Sequence, residues 1–306
     1  MDETTLRIRK KVEEFLNVQV NSIERIENVP NNTVYKILAD DKSYIFKIYA
    51  QRDWPEDGKL RFIHQKLTEH HIACAKLIVF DRSDPYFHNG FLLEECLPGA
   101  TADRMVFDSK TGNEFYEKLA LLVSNIHRIP IRNYGYIGSG ISSHNTFMEF
   151  MNDKFDEIAN ALFNKKLFDK KRLLEIKKKV IIHRLHQCEN LPSVLNHGDL
   201  STKNVVVDRN GELALIDWDD AMSCNWIADI SRMTYWMKFH YSDEEYARYK
   251  NTFLTHYSTD GSKSDFYDLE NAFHVWIGLD HLNYYANKPQ YEPTLAYFNE
   301  TLDKLK

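Results

Sequence analysis

The chain has 306 residues, a length that accommodates about two domains of average size. Hydrophobic residues make up 43% of it and aromatic residues 13%, so the composition excludes global disorder. The formal net charge of −6 gives no electrostatic signature of a protein that binds nucleic acid or a membrane surface. The first residues are acidic, the four cysteines are scattered without CxxC pairs, and no apolar run is long enough for a membrane helix. We therefore expect a cytoplasmic protein with free thiols that binds neither nucleic acid nor a membrane.

The first hundred residues are predicted to form a small antiparallel sheet with two helices. Runs of β-branched and aromatic residues alternate with turns rich in Asn and Asp, which is the pattern of a meander. The predicted elements, in order, are a helix at 5–16, strands at 22–27, 34–38 and 44–49, a helix at 58–70, and strands at 75–80 and 91–95. Leu97, Pro98 and Gly99 then break the pattern.

The remainder is predicted to be mainly helical. Thr111 and Glu114 have the spacing of a helix-capping box, and a Lys-rich amphipathic stretch covers 147–186. Short strands are predicted at 194–195, 205–207 and 213–216, and helical periodicity resumes from Asp229. The sequence thus predicts an α+β fold with an N-terminal lobe over 1–96 and a larger helical lobe over 97–306.

Glycine usage excludes the common nucleotide-binding loops. The chain has 11 glycines, and none precedes Gly58. The dinucleotide fingerprint fails because Ser143 stands where the third glycine of Gly138-Ser-Gly140 would be. A phosphate-binding P-loop fails because Ile141 follows Gly140 where lysine is required. A nucleotide would have to be bound by another arrangement.

The densest cluster of polar residues has the composition that phosphoryl transfer requires. His197-Gly198-Asp199 is followed by Asn204, and Asp217 comes after a predicted hairpin. Transfer of a phosphoryl group to a hydroxyl needs a carboxylate that orients the hydroxyl and takes its proton, together with oxygen ligands for Mg²⁺. A loop carboxylate, a carboxamide five residues later and a second aspartate meet those needs. Each residue alone would more often be a helix cap or turn former.

These motifs resemble a known family. His197-Gly198-Asp199-x-x-x-x-Asn204 and Ile216-Asp217-Trp218 look like the catalytic loop and metal-binding aspartate of aminoglycoside phosphotransferases and choline kinase-like enzymes. The resemblance implies a two-lobed protein-kinase-like fold, with Asp199 as catalytic base and Asn204 and Asp217 as Mg²⁺ ligands. Asp229 resembles a downstream family element, although Asn225 and Trp226 replace its usual Asp-Pro; we interpret it, and His197, as scaffold residues.

The same resemblance assigns nucleotide-binding residues to the N-terminal lobe. Lys47 falls at the third-strand lysine that contacts the phosphates. The loop over 28–33 would cover the nucleotide, with Asn32 and Thr33 as donors because it contains no glycine. The backbone groups of Glu95 and Leu97 would pair with the base. An acidic partner for Lys47 is not evident, since 60–68 contains no carboxylate; that leaves two candidates, Glu56 and Glu69.

The acceptor pocket is predicted in the helical lobe. Residues 226–306 contain 12 Asp and Glu against 8 Lys and Arg, a balance of −4 that suits a cationic substrate. Asp219 and Asp220 are candidate substrate contacts beside the metal site. Trp276 and Asp280 share a helical face with further aromatic residues, which could bind an amino sugar or a quaternary ammonium, or could simply form core.

Three functional hypotheses follow. The first is a Mg²⁺-dependent kinase that uses ATP or GTP to phosphorylate an aminoglycoside-like antibiotic. The second is a metabolic kinase of the same fold that acts on choline, a sugar or an amino alcohol. The third is a nucleotide-binding protein without catalysis. The acceptor pocket separates the first two, and turnover separates both from the third.

Overall fold

The computed structural model describes residues 2–27, 29–258 and 263–305. Asn28, the first residue of the predicted nucleotide-covering loop, lies outside the described residues. The chain divides into two compact units. The smaller unit comprises Met1–Met105, Gly138–Gly140 and Thr202–Asp219; the larger one comprises Val106–Ile137, Ile141–Ser201 and Asp220–Lys306. The predicted lobe boundary at residues 96 and 97 stays a prediction.

The smaller unit contains a five-stranded antiparallel sheet, in the order β1-β2-β3-β5-β4, and two helices. Its elements through the fifth strand are α1 (Glu3–Leu16), β1 (Val20–Ile26), β2 (Thr33–Ala39), β3 (Lys42–Ile48), α2 (Lys59–Glu69), β4 (Leu77–Asp81) and β5 (Phe91–Glu95). All of these were predicted from the sequence, with ends that differ by up to two residues. The agreement reflects the strong period-2 and period-3.6 patterns of these segments.

The two faces of the third strand have different surroundings, and one of them faces the apolar core. Tyr44 and Phe46 are buried in a cluster with Ile8 and Val12 of α1, and Phe46 stacks on Phe91 at 4.8 Å. Because successive side chains of a strand point to opposite faces, Lys47 lies on the face away from this cluster. β3 pairs with β2 on one side and β5 on the other, so the strand that carries the lysine is central rather than at an edge.

A three-stranded sheet completes the smaller unit. It has the order β11-β10-β6 and comprises β6 (Ala100–Thr101), β10 (Val205–Val207) and β11 (Leu213–Leu215). β10 and β11 form a hairpin in which Val205 is opposite Leu215. Beyond this pair the carbonyl of Asn204 accepts a hydrogen bond from the N–H of Ile216 at 3.0 Å. The open end of the hairpin therefore places Asn204 across from the residue that precedes Asp217.

The larger unit is mainly helical. Its helices are α3 (Ser109–Ile126), α4 (Phe147–Asn164), α5 (Lys170–Lys177), α6 (Trp226–His240), α7 (Asp243–His256), α8 (Lys263–Tyr284) and α9 (Tyr291–Lys304). Its four-stranded sheet has the order β8-β7-β12-β9 and comprises β7 (Tyr134–Gly138), β8 (Ile141–His144), β9 (Val194–Asn196) and β12 (Met222–Cys224). The sequence predicts neither β7, β8 nor β12, and it predicts one continuous amphipathic stretch where the structure ends α4 at Asn164 and begins α5 at Lys170.

The predicted capping box of Thr111 and Glu114 is wrong by one turn. Helix α3 begins at Ser109, and the side chain of Asp108 accepts a hydrogen bond from the N–H of Thr111 at 2.7 Å. Aspartate is a stronger N-cap than threonine, so Thr111 becomes the third residue of the helix instead of its cap. All four cysteines are unpaired. Of the helices in the described residues, none combines the length and apolarity needed to cross a bilayer.

Candidate active site

Lys47 is held by two aspartates of the smaller unit. Its Nζ donates to Oδ1 of Asp217 at 2.7 Å and to Oδ2 of Asp219 at 2.9 Å. The hydroxyl of Tyr49 donates to the other oxygen of Asp219 at 3.1 Å. Tyr49 follows Lys47 by two residues, which places both side chains on the same face of the strand. The third-strand lysine and the aspartate beyond the hairpin, which the sequence places 170 residues apart, are therefore in direct contact.

The electrostatics of this cluster keep the lysine charged. Burial alone would lower the pKa of Lys47, but the carboxylates of Asp217 and Asp219 more than offset it and raise the pKa well above its usual value. Burial raises the pKa of Asp219, and the Lys47 ammonium opposes that shift. Asp217 differs from Asp219 in exposure, since 48% of its side chain is accessible against 8%. Asp217 is thus the carboxylate of the pair that can still meet a ligand.

Asp217 and Asn204 fit the chemistry of a Mg²⁺ site. Asp217 has a left-handed backbone with φ of 63°, a conformation that costs free energy for a residue other than glycine and is typical of functional positions. Asn204 lies in the short helical turn Thr202–Asn204, and the hairpin register brings it next to Ile216. A carboxylate and a carboxamide oxygen are the hard oxygen donors that Mg²⁺ takes from proteins. Both residues belong to the smaller unit, as Lys47 does.

The larger unit presents Asp199 on a braced loop. Indole Nε1–H of Trp236 donates to Oδ1 of Asp199 at 3.2 Å. The backbone N–H of Asp199 donates to Nδ1 of His197 at 3.3 Å, and His197 is fully buried. The ring of His197 thus contacts the backbone of the loop that carries Asp199.

Asp229 fixes the start of the same loop. Its carboxylate accepts hydrogen bonds from the backbone N–H of His197 at 2.9 Å and from that of Gly198 at 3.0 Å. The ring of His127 lies at 3.2 Å from the same carboxylate. Burial would raise the pKa of Asp229, but the His127 contact and the other hydrogen bonds prevail and lower it. Asn225 caps α6, because its side chain accepts hydrogen bonds from the N–H groups of Ile227 and Ala228.

Gly198 is required by a close approach of two backbone segments. Its φ is +81°, and a Cβ atom added to it would lie 1.9 Å from the carbonyl oxygen of Asp220. No side chain fits in that space without a backbone shift. The glycine at position 198 is therefore a packing requirement of this loop.

The remaining predicted nucleotide residues lie at two ends of the five-stranded sheet. Thr33 is opposite Ile48, one residue from Lys47, and the Asn32 side chain accepts a hydrogen bond from the N–H of Ala50 at 3.1 Å. Glu95 ends β5, and its N–H donates to the carbonyl of Lys76 at 2.9 Å. Of the two backbone groups of Glu95, the carbonyl is therefore the candidate for pairing with a base. Leu97 follows the strand and is half-buried.

The predicted acceptor residues differ in accessibility. Asp219 is buried against Lys47 and Tyr49, whereas Asp220 and Asp280 are half-buried. Trp276 is 3% exposed and lies near the rings of Phe150 and Phe273, at 6.4 and 6.5 Å. These surroundings match the alternative that this helical face forms part of the hydrophobic core.

Three residues of the site carry no recognisable sequence signal. Tyr49 and Trp236 bind the aspartates through contacts that join distant segments. Lys59, in the first turn of α2, is fully buried and donates from Nζ to the carbonyl of Asp219 at 2.9 Å. The absence of carboxylates over 60–68 is the only signal in the sequence that the partner of Lys47 lies elsewhere. The two candidate partners of Lys47 pair with other lysines: Glu56, before the helix, with Lys59, and Glu69, at its end, with Lys66.

Solved structures with the same fold cover nearly the whole chain. A thermostable mutant of the aminoglycoside phosphotransferase APH(4)-Ia shares 14% identity with a TM-score of 0.75, covering 97% of this chain and 98% of that one. The choline kinase LicA from Streptococcus pneumoniae shares 15% identity with a TM-score of 0.69 and 99% coverage of both chains. A putative fructosamine-3-kinase from Thermobifida fusca shares 14% identity with a TM-score of 0.67 and 97% coverage of both. At these identities the likeness establishes the protein-kinase-like α+β fold that the sequence motifs predict.

The family follows from a sequence comparison. No curated protein sequence matches the chain significantly. The family model described as "Phosphotransferase enzyme family" matches residues 22–265, which include Lys47, the catalytic-loop motif and Asp217. The chain therefore belongs to the phosphotransferase enzyme family and is a small-molecule phosphotransferase.

Proposed function

We propose that the protein transfers the γ-phosphate of ATP or GTP to a hydroxyl of a small, cationic molecule in a Mg²⁺-dependent reaction. The contact of the Lys47 ammonium with the Asp217 carboxylate carries the proposal. It joins the residue types that bind nucleotide phosphates and their metal ion. The braced loop that holds Asp199 supplies the third group that the reaction needs.

Each residue has a role that its surroundings support. Lys47, charged and buried, binds the phosphate oxygens of the donor. Asn204 and Asp217 hold Mg²⁺, which neutralises negative charge on the phosphates when it is bound. Asp199 orients the acceptor hydroxyl and takes its proton at a carboxylate oxygen, while the Trp236 indole fixes the carboxylate by its bond to Oδ1. Asn32, Thr33 and the backbone of Glu95 and Leu97 contact the nucleotide.

The favoured acceptor is an aminoglycoside-like amino sugar. The acidic balance of 226–306 supports it, with the half-buried Asp220 and Asp280 as carboxylates that can meet ammonium groups. APH(4)-Ia, which has the same fold, has been solved with AMP-PNP and hygromycin B. The alternative is a metabolic kinase acting on choline, a sugar or an amino alcohol. The similarity to a choline kinase and to a putative fructosamine-3-kinase at nearly the same TM-score supports this alternative.

The proposed setting is the cytoplasm, where nucleoside triphosphates are available and thiols remain reduced. The buried, unpaired Cys188 and Cys224 support it. A catalytically silent nucleotide-binding protein is the third alternative. Turnover on any acceptor would exclude it.

The test is an assay of ADP or GDP release with Mg²⁺ against aminoglycosides, choline, sugars and amino alcohols. The phosphorylated product is identified by mass spectrometry. We expect turnover on one acceptor class, and turnover on aminoglycosides would support the favoured one. Tight nucleotide binding without turnover on any class would contradict the proposed activity and favour the silent alternative.

A further inference from the structure

The lysine of β3 has a counter-ion that does not come from helix α2. Lys47 contacts Asp217 and Asp219, and the side chain of Asp219 is as buried as that of Lys47, at 8% exposure each. Both oxygens of Asp219 are engaged, one by Lys47 and one by Tyr49. Such a carboxylate is fixed in position, in contrast to Asp217, which is half exposed. Asp219 can therefore hold Lys47 while Asp217 binds another group.

The ammonium of Lys59 binds the backbone carbonyl of the same aspartate, Asp219. It is fully buried at the first position of α2, and its Nζ donates to the Asp219 carbonyl at 2.9 Å. Glu56 forms an ion pair with it, and the ring of Trp54 lies under the ammonium at 4.2 Å. A buried ammonium is costly unless it is paired, and here three groups compensate it. Their placement directs one N–H of Lys59 at the turn that carries Asp219.

We propose that Lys59 is a positioning residue for nucleotide binding: it fixes the backbone at Asp219, and Asp219 in turn fixes the Lys47 ammonium. Helix α2 thus contributes a cation to the site instead of a carboxylate. Residues 60–68 include no acidic residue that could contact Lys47 directly, which agrees with a helix that contributes a cation and not a carboxylate. The inference rests on the proposed function in one respect, namely that Lys47 binds the phosphates. It assigns Asp219 to Lys47 and not to the acceptor.

The test is Lys59→Met, which removes the ammonium but retains most of the side-chain volume. Binding of AMP-PNP with Mg²⁺ is measured by calorimetry, and kcat and KM are measured where an acceptor is known. We expect the Kd for Mg²⁺·AMP-PNP and the KM for ATP to rise about tenfold, with the KM for the acceptor unchanged. Lys66→Met is the matched control, because Lys66 lies on the same helix and pairs with the partly exposed Glu69. Unchanged nucleotide affinity in a folded Lys59→Met protein, or an equal loss in Lys66→Met, would overturn the inference.

A second variant covers the case in which Lys59→Met does not fold. Tyr49→Phe removes only the hydroxyl that donates to Asp219. It should weaken Mg²⁺·AMP-PNP binding in the same direction by a smaller factor. Unaltered affinity would contradict the positioning role of Asp219. Nucleotide binding can be measured without an acceptor. A wild-type protein that binds Mg²⁺·AMP-PNP but phosphorylates nothing would therefore disprove the transfer reaction. The positioning inference would still be tested by the affinities of these variants.

Discussion

The Nζ of Lys47 lies 2.7 Å from Oδ1 of Asp217, in a contact that joins the third strand to the residue after the β10–β11 hairpin. Both residues belong to the smaller unit. The lysine has its pKa raised by carboxylates, while the aspartate keeps 48% of its side chain accessible. In the proposed function, this pair combines a cation that binds phosphate with an accessible carboxylate that would bind a metal ion.

Replacement of Asp217 by asparagine should weaken nucleotide binding only when Mg²⁺ is present. The amide retains an oxygen donor but loses the charge that attracts the metal ion. We expect Mg²⁺·AMP-PNP affinity to fall at least about tenfold, measured by calorimetry with and without Mg²⁺. Asp41→Asn, at the exposed turn between β2 and β3, is the control and should bind as the wild type does. Equal losses with and without Mg²⁺ would show that Asp217 is not a metal ligand.

Asp229→Ala should destabilise the larger unit. The substitution leaves the N–H groups of His197 and Gly198 and the ring of His127 without their buried acceptor. Removal of one partner from a buried charged network costs about 3–5 kcal/mol. Chemical denaturation measures the loss, and Asp243→Ala, whose exposed ion pair with Lys238 should contribute less than about 1 kcal/mol, is the control. Similar losses in both variants would refute the bracing role of Asp229.

Gly198→Ala should be poorly tolerated. The added Cβ would meet the Asp220 carbonyl at 1.9 Å in a backbone with φ of +81°. We expect the free energy of unfolding to fall by more than about 2 kcal/mol, and turnover to fall because Asp199 is the next residue. In Gly138→Ala the new atom would meet nothing closer than 3.4 Å, so that variant should be nearly neutral. A fully stable and active Gly198→Ala protein would show that this loop relaxes without cost.

Titration of Glu94 should lower the free energy of unfolding as the pH rises. Burial raises its pKa from 4.5 to about 7, with Lys47 opposing the shift and Asp217 adding to it. Between these values the folded protein binds more protons than the unfolded chain, so the free energy of unfolding decreases with increasing pH and levels off above about pH 7. The shift corresponds to at most about 3 kcal/mol. Glu94→Gln should remove this contribution, which denaturation curves at pH 5 and pH 8 would reveal; identical pH dependence in both proteins would be the contrary result.

Local patterns predicted the fold and the chemical groups, but not the contacts that orient them. The strand around Lys47 and the spacing from Asp199 to Asn204 are properties of short segments, so the sequence alone indicated them. The partner of Lys47 could not be read, because Asp219 reaches it through a turn about 170 residues away. Lys59 was missed for a related reason: a lysine in the first turn of a predicted helix is ordinarily exposed, and only tertiary packing buries this one.

Asp199→Asn gives the most direct test of phosphoryl transfer by this site. The variant keeps the shape of the side chain but cannot accept the proton of the acceptor hydroxyl. On the acceptor that the wild type phosphorylates, the account predicts a fall in kcat of about 10²- to 10⁴-fold, with the Kd for Mg²⁺·AMP-PNP unchanged. A variant that transfers phosphate at the wild-type rate would contradict the assignment of Asp199 as the catalytic base and, with it, the proposed mechanism.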